Sequence, residues 1–178
     1  MEDLIAGVVV KELVSHPDQR GFFREIFRFN EPIFEGGHFA QWSHSKMTKN
    51  VVKAWHFHHI QTDWWYVPLG CIEAVLFDNR EESPTYKKKM VIIMGDSKSG
   101  IEGAKEVVVR IPPGVLHGCK VLTDEAHLLY ITSETYNPND EGRYPYNSEI
   151  VPHSWGDNVI TSPNDRKTFM PTSERKKF

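Results

Sequence analysis

The stretch Lys53-Ala54-Trp55-His56-Phe57-His58-His59-Ile60-Gln61-Thr62-Asp63 decides how this chain is read. His56, His58, His59 and Asp63 can each bind a proton or a metal ion near neutral pH. The apolar pair Val51-Val52 precedes the stretch and Trp64-Trp65-Tyr66-Val67 follows it, so it lies in strand-like sequence. Side chains two apart on a strand share a face. His56 and His58 are therefore expected to point the same way. Converging titratable groups mark a functional site more often than lone histidines do. The plainer reading is a polar strand end whose histidines are satisfied locally.

Working outward, short β-rich segments alternate with turn signals. Val8–Val10 opens the series, and His16–Gly21 reads as a turn before a strand from Phe22 to Phe29. Further strands are expected over Phe39–Ser45, Val51–His58, Trp64–Val67, Cys71–Phe77, Met90–Met94, Val107–Ile111 and His127–Thr132. Pro68-Leu69-Gly70, Asp78-Asn79-Arg80, Gly95-Asp96 and Pro112-Pro113-Gly114 punctuate them. No segment holds a clean 3.6-residue period with caps. The pattern predicts an all-β sandwich or barrel over residues 1–178 as a single domain. Beyond Tyr136 the chain is rich in Pro, Asn and Ser and reads as loop with short helical turns, fraying at Arg175-Lys176-Lys177.

Composition narrows the function classes. The 178 residues carry a net charge of −3, which argues against a nucleic-acid partner. No run of eighteen apolar residues predicts a membrane span. Met1-Glu2-Asp3-Leu4 lacks a signal-peptide core, and Cys71 and Cys119 make no disulfide framework, so a cytoplasmic protein is expected. The five tryptophans offer flat apolar surfaces suited to sugar or base rings, and equally to a β-sandwich core.

Two spacings carry the chemistry. His56-x-His58 is followed by Asp63, and Pro112-Pro113-Gly114 by His117. Together they resemble the two metal motifs of the cupin superfamily, a small jelly-roll barrel. That resemblance implies a divalent transition metal on His56, His58, Asp63 and His117, because imidazoles with a carboxylate suit such ions. Val121 stands where cupins often carry Asn.

A longer resemblance runs from residue 18 to about residue 166. Asp18-Gln19-Arg20-Gly21-Phe22-Phe23-Arg24-Glu25 is similar to the D-x-R-G-x-F-x-E opening of the dTDP-4-dehydrorhamnose 3,5-epimerases, which are cupin-like jelly rolls. Gln41-Trp42-Ser43-His44-Ser45 resembles their Q-x-N-x-S strand. Lys53 to His58 resembles R-G-L-H-F-Q, and Asp78 to Thr85 resembles D-x-R-x-x-S-P-T. Ile111-Pro112-Pro113-Gly114 to His117-Gly118, Leu128-Leu129-Tyr130, Tyr136-Asn137-Pro138 and Ser162 to Asp165 match further blocks.

The family resemblance implies a proton transfer beside a 4-keto group on a nucleotide sugar, with no cofactor. A base removes the proton, a polar group holds the enolate, and an acid returns a proton from the other face. By that resemblance His56 is the base, Asp165 holds its ring, and Tyr130 is the acid. Arg20, Glu25, Gln41, Ser43, Lys53, His117 and Tyr136 fall at substrate-contacting positions. Arg20 is suited to phosphate because a guanidinium binds it bidentately. The family is homodimeric, and its N-terminal strand crosses to the partner.

Three positions depart from the family: His58 replaces Gln, Asp63 replaces a Lys, and Lys53 replaces an Arg. A bare carboxylate about 4 Å from an enolate costs on the order of 4 kcal/mol at an effective dielectric near 20. Either Asp63 is turned away or neutralised, or a metal restores the positive charge. Lys53 has the wrong strand parity to join His56 unless a bulge intervenes. Three functions follow: a sugar-nucleotide epimerase, a metal-dependent cupin enzyme (isomerase or dioxygenase), and a non-catalytic sugar-nucleotide binder.

Overall fold

A computed structural model describes residues 5–34 and 36–174. Met1–Leu4 and Arg175-Lys176-Lys177, read above from sequence, lie outside the described residues. Twelve strands and two short 3₁₀ turns form two antiparallel five-stranded sheets and a separate ribbon. The first sheet has the order β1-β9-β6-β11-β4, from Val9–Glu12, Val107–Ile111, Asp63–Leu69, Glu125–Thr132 and Gln41–Thr48. The second has the order β12-β5-β10-β7-β8, from Gly142–Arg143, Val52–Phe57, Val115–Val121, Cys71–Asp78 and Lys89–Gly95. Together they make the cupin-like β-sandwich. The ribbon pairs β2 (Ser15–Asp18) with β3 (Gly21–Arg24).

Alternation explains which sheet faces are dry. Between the sheets, Ile72, Ala74 and Leu76 of β7 and Val115, Cys119 and Val121 of β10 meet Trp65, Val67, Val109 and Leu128 of the first sheet. β7 is buried along nearly its whole length, because its other face, with Val75 and Phe77, is also covered. The cover is the C-terminal segment: Val151 and Trp155 pack on Trp55 and Phe57, with the Trp55 and Trp155 rings 4.9 Å apart. Burying each large apolar side chain stabilises the fold by about 1.5–3 kcal/mol. This packing is what brings Asp165, far along the chain, beside β5.

Three expectations are corrected. Residues 15–18 pair with β3 as a strand, so the turn shrinks to Asp18–Gly21, with Gly21 at a φ of +135°. The strand expected over Phe22–Phe29 ends at Arg24. After it the chain folds onto the outer face of the first sheet, where Phe27 stacks on Phe34 at 5.4 Å and Phe34 on Trp64 at 4.8 Å. Aromatic burial there replaces strand pairing. The segment read only as a motif after Gly114 is β10, flanked by β5 and β7 in the second sheet.

Candidate active site

The two sheets part at one end around a cavity of about 620 Å³, open to solvent. β5 supplies Lys53 and His56, the turn after it His58, β6 Asp63 and Trp65, and β10 His117 and Cys119. The opposite wall carries Gln41 of β4 and Tyr130 of β11. Tyr136, Glu141, Arg143, Ser162 and Asp165 come from the C-terminal segment.

Lys53 and His56 share the cavity because β5 bulges. On β10, His117 pairs with His56 and Cys119 with Lys53, so two steps on one strand face three on the other. The extra residue reverses the parity of Lys53. Gly118 lies opposite the bulge, where a Cβ would come within 2.5 Å of the Ala54 Cβ. Lys53 Nζ donates to Ser45 Oγ at 2.7 Å.

His56 lies between two carboxylates. Its Nδ1 is 3.2 Å from Glu141 Oε1, and its Nε2 is 3.8 Å from Asp165 Oδ1, an ion-pair separation longer than a hydrogen bond. Arg143 Nη1 donates toward Nε2 at 3.2 Å, and its Nη2 pairs with Glu141 at 2.8 Å. Arginine only donates, so Nε2 carries the lone pair and Nδ1–H faces Glu141. Burial pulls the His56 pKa down, but the Asp165 and Glu141 carboxylates more than offset it, and the imidazole titrates above its ordinary value. Burial acts to raise Glu141, yet its hydrogen bond to His56 and nearby positive charges bring it down to about 2. Asp165 is likewise lowered against burial, by His56 and by Ser162. Ser162 caps the 3₁₀ turn Pro163–Arg166, and its N–H and Oγ–H donate to Asp165 Oδ2 at 2.9 and 2.6 Å.

His117 is buried and different. Its Nδ1–H donates to Val115 O at 3.0 Å, and burial pushes its pKa down to about 4, so the ring is neutral near pH 7. Asp63 is also buried. Gln61 Nε2 donates to its Oδ1 at 2.7 Å and Trp65 Nε1 to its Oδ2 at 3.3 Å. His58 Nδ1 donates to Asp140 O at 3.2 Å. The Asp140 carboxylate accepts N–H bonds from His59, Ile60 and Gln61 and thereby fastens the loop that carries His58.

The metal set read from sequence is divided by the structure. His58, Asp63 and His117 bring ligand atoms within 4.8 Å of one another, and His56 is outside that group. Across the cavity, Tyr130 pairs in register with Ser43, so their side chains share a face. Gln41 Nε2 donates to Ser43 Oγ at 3.0 Å, and its Oε1 accepts the Tyr136 N–H at 2.9 Å. Arg20 and Glu25 are not brought to this cavity. Arg20 is bound to Asp18 on the exposed ribbon, and Glu25 pairs with Arg28. Glu141 and Arg143 escaped the sequence reading, and their only signal is the acid-x-base pair at the start of the Asn- and Pro-rich tail.

The Asp78-x-Arg80 to Thr85 block is structural. Arg80 Nε, Ser83 Oγ and Thr85 Oγ1 all donate to the fully buried Asp78 carboxylate, at 2.8, 2.6 and 2.6 Å. Arg80 Nη2 donates to Ala6 O at 2.6 Å, which ties down the N-terminal segment.

The comparisons with known proteins agree with this architecture. The chain is 39% identical over 155 residues to the spore coat polysaccharide biosynthesis protein SpsL of Bacillus subtilis, covering 85% of this chain and 97% of that protein. It is 34% identical to the probable low-salt glycan biosynthesis epimerase Agl13 of Haloferax volcanii, covering 85% and 94%. The crystal structure of dTDP-6-deoxy-D-glucose-3,5-epimerase RmlC from Legionella pneumophila, in complex with dTDP-4-keto-L-rhamnose, superposes with a TM-score of 0.77 at 27% identity, covering 89% of this chain and 84% of that one. The profile of the family described as dTDP-4-dehydrorhamnose 3,5-epimerase matches residues 2–171. The β-sandwich and this match over nearly the whole chain make it a member of the dTDP-4-dehydrorhamnose 3,5-epimerase family.

Proposed function

We propose that the protein epimerises a 4-keto-6-deoxyhexose nucleotide of the dTDP-4-dehydro-6-deoxy sugar class, in deoxysugar and polysaccharide biosynthesis. The observation that carries this reading is His56, held between Glu141 and Asp165 on one wall, with Tyr130 on the other. A hydrogen on carbon beside a ketone is acidic because its electrons delocalise onto the carbonyl oxygen. His56 Nε2 takes that hydrogen, displacing Arg143 from its lone pair. The imidazolium so formed lies between two carboxylates, which stabilise it. Tyr130 then donates its phenolic proton to the opposite face of the carbon, and the configuration inverts. His117, with its Nδ1–H spent on Val115 O, serves here as a neutral wall. No metal is needed for this proton balance.

The ligand enters as a small nucleotide sugar; Gln41, Ser43, Lys53 and Tyr136 line or support its path, and Lys53 supplies a positive charge. Arg20 and Glu25 act in a neighbouring copy. The β2–β3 ribbon pairs with neither sheet of its own chain among the described residues, and it exposes Phe22 and Phe23. That is the surface expected of an arm that docks on a second protomer, so the working form is a homodimer. Two measurements test these readings. Turnover of the 4-keto nucleotide sugar in D₂O places deuterium at C3, C5 or both; folded protein that leaves both carbons unlabelled overturns the epimerase reading. A monomeric mass in solution overturns the dimer.

A further inference from the structure

Three buried side chains at the base of the cavity take no part in the proton transfer: His58, Asp63 and His117. They come from three places in the fold, the loop just after β5, the first residue of β6, and the middle of β10. Their orientation is set from behind. The His117 Nδ1–H is used on Val115 O at 3.0 Å and the His58 Nδ1–H on Asp140 O at 3.2 Å. Each ring therefore presents Nε2 as a lone pair. The Gln61 amide agrees with this, since its Nε2 lies 3.3 Å from His58 Nε2 and 2.7 Å from Asp63 Oδ1, a donor serving two acceptors.

On the side away from Gln61, two acceptors face each other. His117 Nε2 and Asp63 Oδ2 are 3.8 Å apart, and all three ligand atoms lie within 4.8 Å of one another. Gln61 and Trp65 donate to part of this set, but lone pairs and a carboxylate charge converging away from water still favour a cation between them. Imidazoles whose second nitrogen is tied to a backbone carbonyl are also how metal-binding histidines are held. We propose that His58, Asp63 and His117 bind one divalent transition-metal ion.

The donor set selects the ion class. Two imidazoles and one carboxylate suit zinc, iron(II), cobalt, manganese or nickel, whereas magnesium and calcium prefer oxygen alone. Metal–nitrogen bonds of about 2.1 Å put tetrahedral ligands about 3.4 Å apart, so small side-chain rotations suffice to close the set. His56 stays outside, with its nitrogens engaged by Glu141 and Arg143. The base and the metal site therefore coexist, and Asp63 becomes a ligand instead of a bare charge facing the substrate. When bound, the ion supplies a positive charge that polarises a ligand carbonyl oxygen.

The test needs no sugar, so it is separate from the epimerase reading. Full-length protein without a His-tag is stripped with chelator and titrated with cobalt(II), following its visible ligand-field absorption, metal content after desalting, and melting temperature. The expected result is about one equivalent bound, displaced by zinc(II), with a raised Tm. Asp63→Asn and His58→Gln each weaken binding by at least about tenfold, and His56→Ala does not. Folded wild-type protein that retains less than about a tenth of an equivalent overturns the proposal. So does unchanged affinity in whichever of the two ligand variants folds, as judged by its own cooperative melt.

Discussion

His56 Nδ1 lies 3.2 Å from Glu141 Oε1, and the same carboxylate oxygen is 2.8 Å from Arg143 Nη2. Glu141 therefore orients the ring and also raises its basicity. The sign for activity follows directly. As the proposed base His56 works only when neutral, and its pKa is raised, so kcat/KM is expected to fall on the acid side at a pH above the ordinary histidine value. Glu141→Gln keeps an acceptor for Nδ1–H but removes a negative charge. Asp165, Arg143 and neutral His117 still face the ring. The acid limb of the pH profile should then move to lower pH, and kcat at its optimum should drop. An unmoved limb would show that Glu141 does not set the charge of His56.

Tyr130 stands on the first sheet and His56 on the second. Removing the phenol should separate exchange from inversion. Tyr130→Phe is expected to keep deuterium exchange at the carbon beside the ketone, because His56 can return a deuteron to the face it came from. Inversion should fall by about 10²–10⁴-fold, the usual contribution of a positioned acid. Labelled product of inverted configuration formed at the wild-type rate would assign the acid elsewhere.

The bulge in β5 depends on the absence of a side chain at Gly118. Gly118→Ala forces its Cβ against Ala54, with Lys53 O only 3.0 Å away. Overpacking of this kind costs about 1–3 kcal/mol. Because the bulge sets the parity of Lys53 relative to His56, activity should fall by more than the stability loss explains. Denaturant melts beside kcat/KM read both quantities.

Asp78 makes a prediction about stability alone. Burial acts to raise its pKa, but hydrogen bonds from Arg80, Ser83 and Thr85 lower it to about 2. A carboxylate depressed on folding stabilises the protein above its unfolded pKa, about 3.9, and the gain is lost as pH falls from there to about 2. The gain is on the order of 2 kcal/mol. Asp78→Asn breaks the buried Asp78–Arg80 ion pair and should cost about 3–5 kcal/mol at pH 7. Its unfolding free energy should also lose most of the acid slope seen for the wild type between those two pH values.

These effects show what the sequence could and could not disclose. β6, β7, β9 and β11 follow apolar patterns that local chemistry dictates, so their positions were readable within a few residues. The histidine block stood out by its spacing, whereas Tyr130 was singled out only by the family resemblance. Lys53 was not, because its facing depends on a register shift against β10, a long-range pairing. Glu141 sits just before β12 and Arg143 within it, a two-residue strand with no periodicity to detect. The separation of His56 from the His58, Asp63 and His117 group was also hidden. Strand parity puts His56 and His58 on one face, but only the tail's packing against β5 decides which groups surround each ring.

The most direct test of the account is solvent deuterium exchange by His56→Ala. The variant should fold and bind dTDP within a few-fold of the wild type, while incorporation beside the keto group of the substrate drops by at least about 10³-fold. Exchange near the wild-type rate in that variant, with dTDP binding intact, would contradict His56 as the base.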